Sequence, residues 1–253
     1  MSSTAPRSPR VVASIEARMR SSRLPGKVLA DIGGAPALTR LVRRLRRAKR
    51  LDAIVLATST STADDALAAW AASECVAMHR GSEDDVLQRV VDAQASQRSE
   101  VVVEITGDCI LLDPELVDVH VETFLENDAD VVCNVIKPSY PLGSAVQVFR
   151  FGALAEIART VHDPAVREHV SLYFYDHPER YRIVHLFAPE RWRDPTMRIH
   201  LDYEDDLRFL REVYARLEPI HGDAFGLEEL MALCRAHPEL PEINRACEER
   251  AAR

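Results

Sequence analysis

Val11-Val12-Ala13-Ser14-Ile15 leads straight into Glu16-Ala17-Arg18-Met19-Arg20-Ser21-Ser22-Arg23-Leu24-Pro25-Gly26-Lys27. The apolar run predicts a buried strand, and the polar segment that follows predicts a loop. Arg18, Arg20, Arg23 and Lys27 supply positive charge there, Ser21 and Ser22 supply hydroxyls, and Gly26 supplies conformational freedom. A strand that empties into such a loop makes a seat for a polyphosphate, because backbone N–H groups, hydroxyls and fixed cations converge on one anion. The Walker spacing Gly-x-x-x-x-Gly-Lys-Ser/Thr is absent, so this is a different kind of seat. Read alone, the same residues also describe a solvated basic turn, and the rest of the chain has to decide between the two.

Outward from this point the first half alternates two periods. Strand-like runs occur near Val11–Ile15, Ala53–Ala57, Cys75–His79, Val101–Ile105 and Val131–Val135, with helical stretches at Ala37–Lys49, Asp64–Ser73, Asp84–Gln97 and Pro114–Glu126. In the first helix Leu38, Leu41, Val42, Leu45 and Ala48 share one face and arginines take the other. Asp113 before Pro114 reads as a helix cap. The strands are continuous apolar runs, as a parallel sheet covered on both faces requires, so the expected class is α/β, doubly wound. The second half predicts strands at Ala145–Phe149, Tyr181–Phe187 and Arg198–Leu201, and helices at Phe151–Thr160, Val166–Tyr175, Glu204–Leu217 and Leu227–His237. There is no internal repeat. The expected organisation is a loose Ser/Pro-rich tail over 1–9 and a single domain over 10–253, with the charge-rich end Glu248 to Arg253 as a solvated helix terminus.

With 253 residues, 47% of them hydrophobic, the chain can bury a large single core. Its formal charge of -8, from 32 basic and 40 acidic residues, argues against nucleic acid as the main partner and makes the cations local tools. Cys75, Cys109, Cys133, Cys234 and Cys247 are scattered and odd in number, which suits reduced thiols and a cytoplasmic setting. No apolar run reaches membrane-spanning length. Trp70, Trp192 and Tyr214 read as packing residues, and Cys109 as structural.

Two carboxylates carry the chemistry. Asp108, in Ile105-Thr106-Gly107-Asp108, directly follows a predicted buried strand, and Asp202, in His200-Leu201-Asp202, ends another short run. Carboxylates on separate strand ends can share one Mg2+, a hard cation that binds phosphate and protein oxygens. Together with the basic loop they point to metal-assisted phosphoryl chemistry.

These residues also carry a resemblance. Glu16 to Lys27 resembles the opening signature of the cytidylyltransferases related to spore-coat polysaccharide protein SpsF, relatives of the enzymes that make CMP-sialic acid and CMP-Kdo. The likeness continues through Gly33-Gly34-Ala35-Pro36, Ala57-Thr58-Ser59, Arg80 to Leu87, Ile105 to Cys109, Arg167-Glu168-His169-Val170 and Asp202 to Leu207. The resemblance implies a Rossmann-like nucleotidyltransferase fold, CTP and Mg2+ as co-substrate and metal, and a homodimer. It implies nucleotide contacts from Arg18, Ser22, Arg23, Lys27, Arg80 and Ser82, with Lys27 and Arg18 acting on the phosphates. It further implies metal ligands in Asp108 and Asp202, and acceptor contacts from Arg20, Tyr140, Gln147, Glu168, His169 and His200, the acceptor-binding portion covering roughly 136–200. Arg89 is expected either at the nucleotide or in a surface ion pair with Asp85.

The chain departs from that family's pattern in three places. Arg20 stands where the family has glycine. Ala145 and Gln147 stand where an acidic pair is usual, and Arg150 and His200 where small or hydroxyl residues are commoner. These changes are expected to move the acceptor pocket toward positive charge and to favour a strongly anionic acceptor, a phosphonate or a sugar acid, whose ionised oxygen needs no base. The alternatives are that another segment supplies the acidic pair, that the chain is a nucleotide-diphosphate-sugar glycosyltransferase, or that it is a nucleotide-binding module with impaired catalysis. A glycosyltransferase usually shows Asp-x-Asp where this chain has Asp108-Cys109-Ile110. A dinucleotide fold would need Gly-x-Gly-x-x-Gly after the first strand, and none is present.

Overall fold

The computed structural model describes residues 8–248. The expected tail (save Ser8 and Pro9) and terminal helix end (save Glu248) lie outside them. Seven strands form one sheet: β1 (Val11–Glu16), β4 (Ala53–Ser59), β5 (Ala77–Gly81), β6 (Val101–Thr106), β7 (Val131–Cys133), β8 (Gln147–Arg150) and β9 (Ile183–His185). Their order is β5-β4-β1-β6-β8-β7-β9. All pairings are parallel except those of β8, which runs antiparallel to β6 and β7. A two-stranded hairpin, β2 (Asp31–Ile32) with β3 (Ala35–Pro36), stands apart.

Helices cover both faces. The chain supplies α1 (Ala37–Leu45), α2 (Asp65–Ser73), α3 (Val86–Ser96), α4 (Pro114–Glu126), α5 (Phe151–Thr160), α6 (Pro164–Glu168), α7 (Leu172–Asp176), α8 (Glu204–His221), α9 (Leu227–Ala236) and α10 (Glu239–Glu242). Because side chains alternate along a strand, Val11, Ala13 and Ile15 of β1 pack with Leu38, Leu41, Val117 and Leu210 on one face. Val12 and Val102 pack with Val90, Leu154 and Phe174 on the other. This two-faced burial accounts for the unbroken apolar runs in the sequence.

Strand order reverses at β1, with β4 and β5 on one side and β6 on the other. In such sheets the crevice beyond the carboxyl ends of the strands at the reversal is where ligands bind. The loop after β1 and the turn after β6 meet there. Gly107 permits their approach: a Cβ on it would lie 2.9 Å from the Glu16 carbonyl oxygen and 2.9 Å from the Ala17 Cβ.

Several sequence expectations need correction. Arg198–Leu201 is not a strand; it makes one isolated bridge, from Arg198 to Leu142. The helix expected over Val166–Tyr175 is two short ones, interrupted at His169-Val170-Ser171. The arginine face of α1 is not solvated throughout. Arg40 and Arg44 are both 1% exposed, because α8 and the segment through Phe225 close over them. Arg40 pairs with Glu218 and Asp223, and Arg44 donates to the Leu112 and Leu111 carbonyls while lying over the Phe225 ring. Trp70, Trp192 and Tyr214 are buried, and the Trp70 indole N–H donates to Thr39 Oγ1 at 2.9 Å.

Gly107→Ala forces a methyl group against backbone that cannot yield without parting β1 from β6. The expected loss is about 1–3 kcal/mol, read as a lower denaturation midpoint at unchanged denaturant dependence. An unaltered midpoint would mean that the crevice tolerates this displacement.

Candidate functional site

Lys27 is the meeting point of the crevice. It opens a short 3-10 turn after Gly26, whose positive φ of 73° folds the chain back so that its N–H reaches the Met19 carbonyl. The ammonium is largely buried and donates to Asp108 Oδ2 at 2.9 Å and to Asp202 Oδ1 at 2.6 Å. Asp108 stands beyond β6, and the Leu201 N–H binds the Asp108 carbonyl at 3.0 Å, so the two carboxylates are tied through the backbone as well. Arg23 reaches the same Asp202 Oδ1 at 2.7 Å, and His200 Nε2 approaches Asp202 Oδ2 at 3.3 Å.

Burial alone would raise both carboxyls. For Asp108 the charge and hydrogen bond of Lys27 reverse that and hold it below its ordinary value. For Asp202 the hydrogen bond from His200 and the charge of Lys27 hold it far below. Lys27 is raised in turn: burial would lower it, but the two carboxylates outweigh burial. All three groups therefore stay charged at neutral pH.

Asp202 has a scaffold that sequence reasoning missed. Asp206, fully buried in the first turn of α8, accepts from the Asp202 and Tyr203 N–H groups at 2.9 Å each. It also accepts from Arg198 Nε at 2.8 Å and Asn244 Nδ2 at 2.9 Å. The available signal was Asp206 at the third position of a helix, where a carboxylate caps the turn. Asn244 left no such signal, because it comes from 38 residues further on.

Two cavities open on the crevice and share Arg18, Ser22, Arg23, Thr106, Asp108, Glu168 and His169. The smaller, about 750 Å³, is also lined by Tyr140, Ser144, Ala145, His200 and Asp202. The larger, about 1230 Å³, takes in Arg20, Lys27, Gln147 and Tyr175. The structure thus brings together Arg18, Ser22, Arg23, Lys27, Asp108, Asp202, Tyr140, Gln147, Glu168, His169 and His200. Arg20 lies at the mouth, its side chain 68% exposed and 3.8 Å from Glu83, so its bulk does not fill the loop's interior.

Arg80 and Ser82 line neither cavity. Arg80 donates to the Ser59 and Ser61 carbonyls and pairs with Asp65, tying β5 to the loop after β4. Ser82 Oγ accepts from the Asp85 N–H. Arg89 does not pair with Asp85 on the surface. It is 3% exposed, lines the larger cavity and donates to the Ser82 and Glu83 carbonyls, while Asp85 pairs with Arg167. Arg150 does not add positive charge to the crevice either. It pairs with Val101 at the opposite end of β6 and meets Asp128 and Asp130.

Ala145 and Gln147 leave no acidic pair at their own positions, but two carboxyls from other segments, Glu16 and Glu104, line the larger cavity. Gln147 Nε2 donates to Glu104 Oε2 at 3.1 Å, and Tyr175 donates its hydroxyl to Gln147 Oε1. The missed signal was a glutamate inside Val101-Val102-Val103-Glu104-Ile105, since a charge within a central strand is a buried charge. Desolvation raises Glu104 to about 8; it raises Glu16 too, and the charge of Glu104 adds to that. Cys109 is buried beside Thr106 and Asp108, its thiol pushed by burial up to about 12, which fits an inert structural role.

Comparison with known proteins agrees with this geometry. The profile of the cytidylyltransferase family matches residues 12–237, and the chain belongs to that family. It is 36% identical over 230 residues to spore coat polysaccharide biosynthesis protein SpsF of Bacillus subtilis, covering 89% of this chain and 94% of that one. Among solved structures, a cytidylyltransferase from Leptospira borgpetersenii superposes with a TM-score of 0.87 at 24% identity, over 96% of this chain and 100% of that chain. A CMP:2-keto-3-deoxy-manno-octonic acid synthetase complexed with CTP superposes at 0.60 with 17% identity, over 82% and 99%. The fold is therefore the Rossmann-like α/β fold of nucleotidyltransferases. Among the described residues, no helix is long and apolar enough to cross a membrane.

Glu104 gives the site a signature in stability. Its folded value of about 8 lies above the ordinary 4.5, so from pH 4.5 to about 8 the folded chain holds a proton that the unfolded chain releases. Stability contributed by that proton is complete below 4.5 and is lost as pH rises through 8. Glu104→Gln is expected to flatten this fall and to raise the melting temperature at pH 8 by about 2–4 °C, with little change at pH 5. Coincident profiles for the two proteins would place an unshifted carboxylate at residue 104.

Proposed function

We propose that the chain transfers CMP from CTP to an ionised oxygen of a small acid, with release of pyrophosphate. The observation that carries this reading is the single ammonium of Lys27 held between Asp108 and Asp202, directly against the basic loop of Arg18, Ser22 and Arg23. A cation already balances two carboxylates where a triphosphate would lie, and cationic and hydroxyl donors face it.

The two aspartates offer hard, charged oxygens from separate elements, and both stay ionised at neutral pH. That donor set fits Mg2+, which binds through one or two carboxylates and completes its shell with water and phosphate oxygens. When bound, the metal would neutralise charge on the nucleotide phosphates and favour the in-line geometry of displacement. Lys27 would then be released from its carboxylates to meet phosphate oxygens. Arg18 and Arg23 would hold the triphosphate, and Ser22 would donate a hydrogen bond to it. An acceptor oxygen attacks the α-phosphorus, the α–β bridging bond breaks, and the electron pair leaves with pyrophosphate. Electrostatic stabilisation of the departing charge is the main contribution expected from the side chains.

Glu168, His169, Tyr140 and His200 border the remaining space and would contact the acceptor. A phosphonate or carboxylate oxygen is already ionised near pH 7 and needs no base to attack, whereas a sugar acid reacting through a hydroxyl would need one. Membership of the cytidylyltransferase family weighs against a glycosyltransferase, and the outward turn of Arg20 weighs against a seat too crowded for phosphate.

A panel of nonulosonic acids, other sugar acids and phosphonates, each incubated with CTP and Mg2+, is expected to release pyrophosphate with at least one member. Lys27→Met and Asp108→Asn should each cut kcat by about 100-fold or more while circular dichroism stays unchanged. Silence across the panel, or full activity in either variant, would overturn the reading.

A further inference from the structure

The larger cavity ends in a group that the transfer reaction does not use. Ser14 of β1 pairs with Glu104 of β6, so Glu16 and Glu104 stand on the same face of adjacent strands, diagonal to one another. Glu104 is 6% exposed and accepts from Gln147, whose amide is oriented in turn by the Tyr175 hydroxyl; the Ser171 side chain supplies a second hydrogen bond. Glu16 Oε1 is fully occluded yet finds no hydrogen-bond donor among the described residues. Arg89 is the cation near Glu16, but two of its donors are committed to the Ser82 and Glu83 carbonyls. The guanidinium lies near Glu16, and within the described residues Glu104 has no cation among its principal partners.

Buried carboxyls normally meet a cation or a metal. Here both residues line a cavity that also reaches Lys27 and Asp108, and the cation beside Glu16, Arg89, is one charge against two carboxyls. The pair is not placed to act on the reacting oxygen. Glu104 lies two residues below Thr106, the last residue of β6, hence roughly 7 Å deeper in the sheet than the strand's end, at the rise of an extended chain. Its depth suits a group carried on the far side of a ligand whose anion sits at the aspartates.

We propose that Glu16 and Glu104, with Gln147, Ser171 and Tyr175, form a subsite for a protonated amine on the acceptor, so that the acceptor is a zwitterion with its acid at the metal end and its ammonium at this end. The proposal deepens the transferase reading and rests on it for the position of the acid. An ammonium offers three donors, and the Glu104 carboxylate and the Ser171 and Tyr175 hydroxyls that line the cavity are acceptors for them. Without ligand, burial keeps protons on this pair. On binding, the ammonium takes the place of a proton, which leaves to solvent, so charge in the subsite is conserved.

The test uses ω-aminoalkylphosphonates of two to five carbons, each matched with the alkylphosphonate lacking the amine. Binding to the full chain is followed by calorimetry, and pyrophosphate release with CTP and Mg2+ is followed in parallel. At least one amine-bearing member is expected to bind tenfold or more tightly than its amine-free partner, with the preference lost in Glu104→Gln and reduced in Glu16→Gln. Equal affinity within every pair, no binding by any member, or a preference that survives both substitutions would overturn the subsite. Amine-dependent binding without pyrophosphate release from any acceptor would sustain the subsite and sink the transferase reading, so the two fail separately.

Discussion

A single ammonium ion held between two aspartates is the constraint on which the crevice depends. Asp108 and Asp202 come from elements 94 positions apart in sequence, and each carries a negative charge into a poorly hydrated space. Without Lys27 they would repel one another, and burial would drive at least one toward its protonated form. With it, both stay ionised and their separation is fixed. The geometry reaches further back, because Lys27 occupies that point only if Gly26 turns the chain in the left-handed region and Gly107 lets the turn after β6 press on the end of β1. The two glycines and three charges form one mechanical unit.

The arrangement has a second level. Asp202 is held by Arg198, its backbone N–H is held by Asp206, and Asp206 is held by Asn244. A buried charge is stable only when its remaining lone pairs are satisfied, and Asp206 meets that condition with donors from four residues. The carboxyl-terminal helices, remote from the crevice in sequence, therefore serve it directly. Truncation after α8 would leave Asp206 short of a donor and Asp202 less firmly positioned.

Much of this was legible in the sequence. The β1 run and its basic loop, the Asp113 cap on α4, and the strand-end position of Asp108 follow from local rules of period, capping and strand termination, whereas the strand expected before Asp202 does not form. What escaped was long-range. Arg80 has the composition of a phosphate ligand, yet three local acceptors within reach (the Ser59 and Ser61 carbonyls and Asp65) claim it first. Arg40 and Arg44 sit on the polar side of an amphipathic pattern, and only the docking of α8 turns that side inward. The sequence pattern carries Arg150 toward the acceptor pocket, but strand direction puts it at the other end of the sheet. Helix α6 was expected to continue through His169; in fact the chain leaves the helix there and lets His169 and Ser171 face the cavity. In each case a side chain's neighbours were set by topology, which no window of sequence contains.

Glu104 shows why the energetic cost of a residue is informative. A central strand buried on both faces gains stability from each apolar side chain, about 1.5–3 kcal/mol for a residue the size of leucine. A carboxyl in the same place gives up that gain and must be desolvated as well. Gln147 and Ser171 recover part of the loss through hydrogen bonds, but they bring no opposing charge. An apolar residue at 104 would avoid that cost. A group that weakens the core while facing a cavity is explained by what enters the cavity. The crevice thereby differs at its two ends: cationic where Arg18, Arg23 and Lys27 gather, and holding exchangeable protons at the depth of Glu16 and Glu104. A ligand with an anion at one end and an ammonium at the other would replace such a proton only when its anion points toward the aspartate end of the crevice.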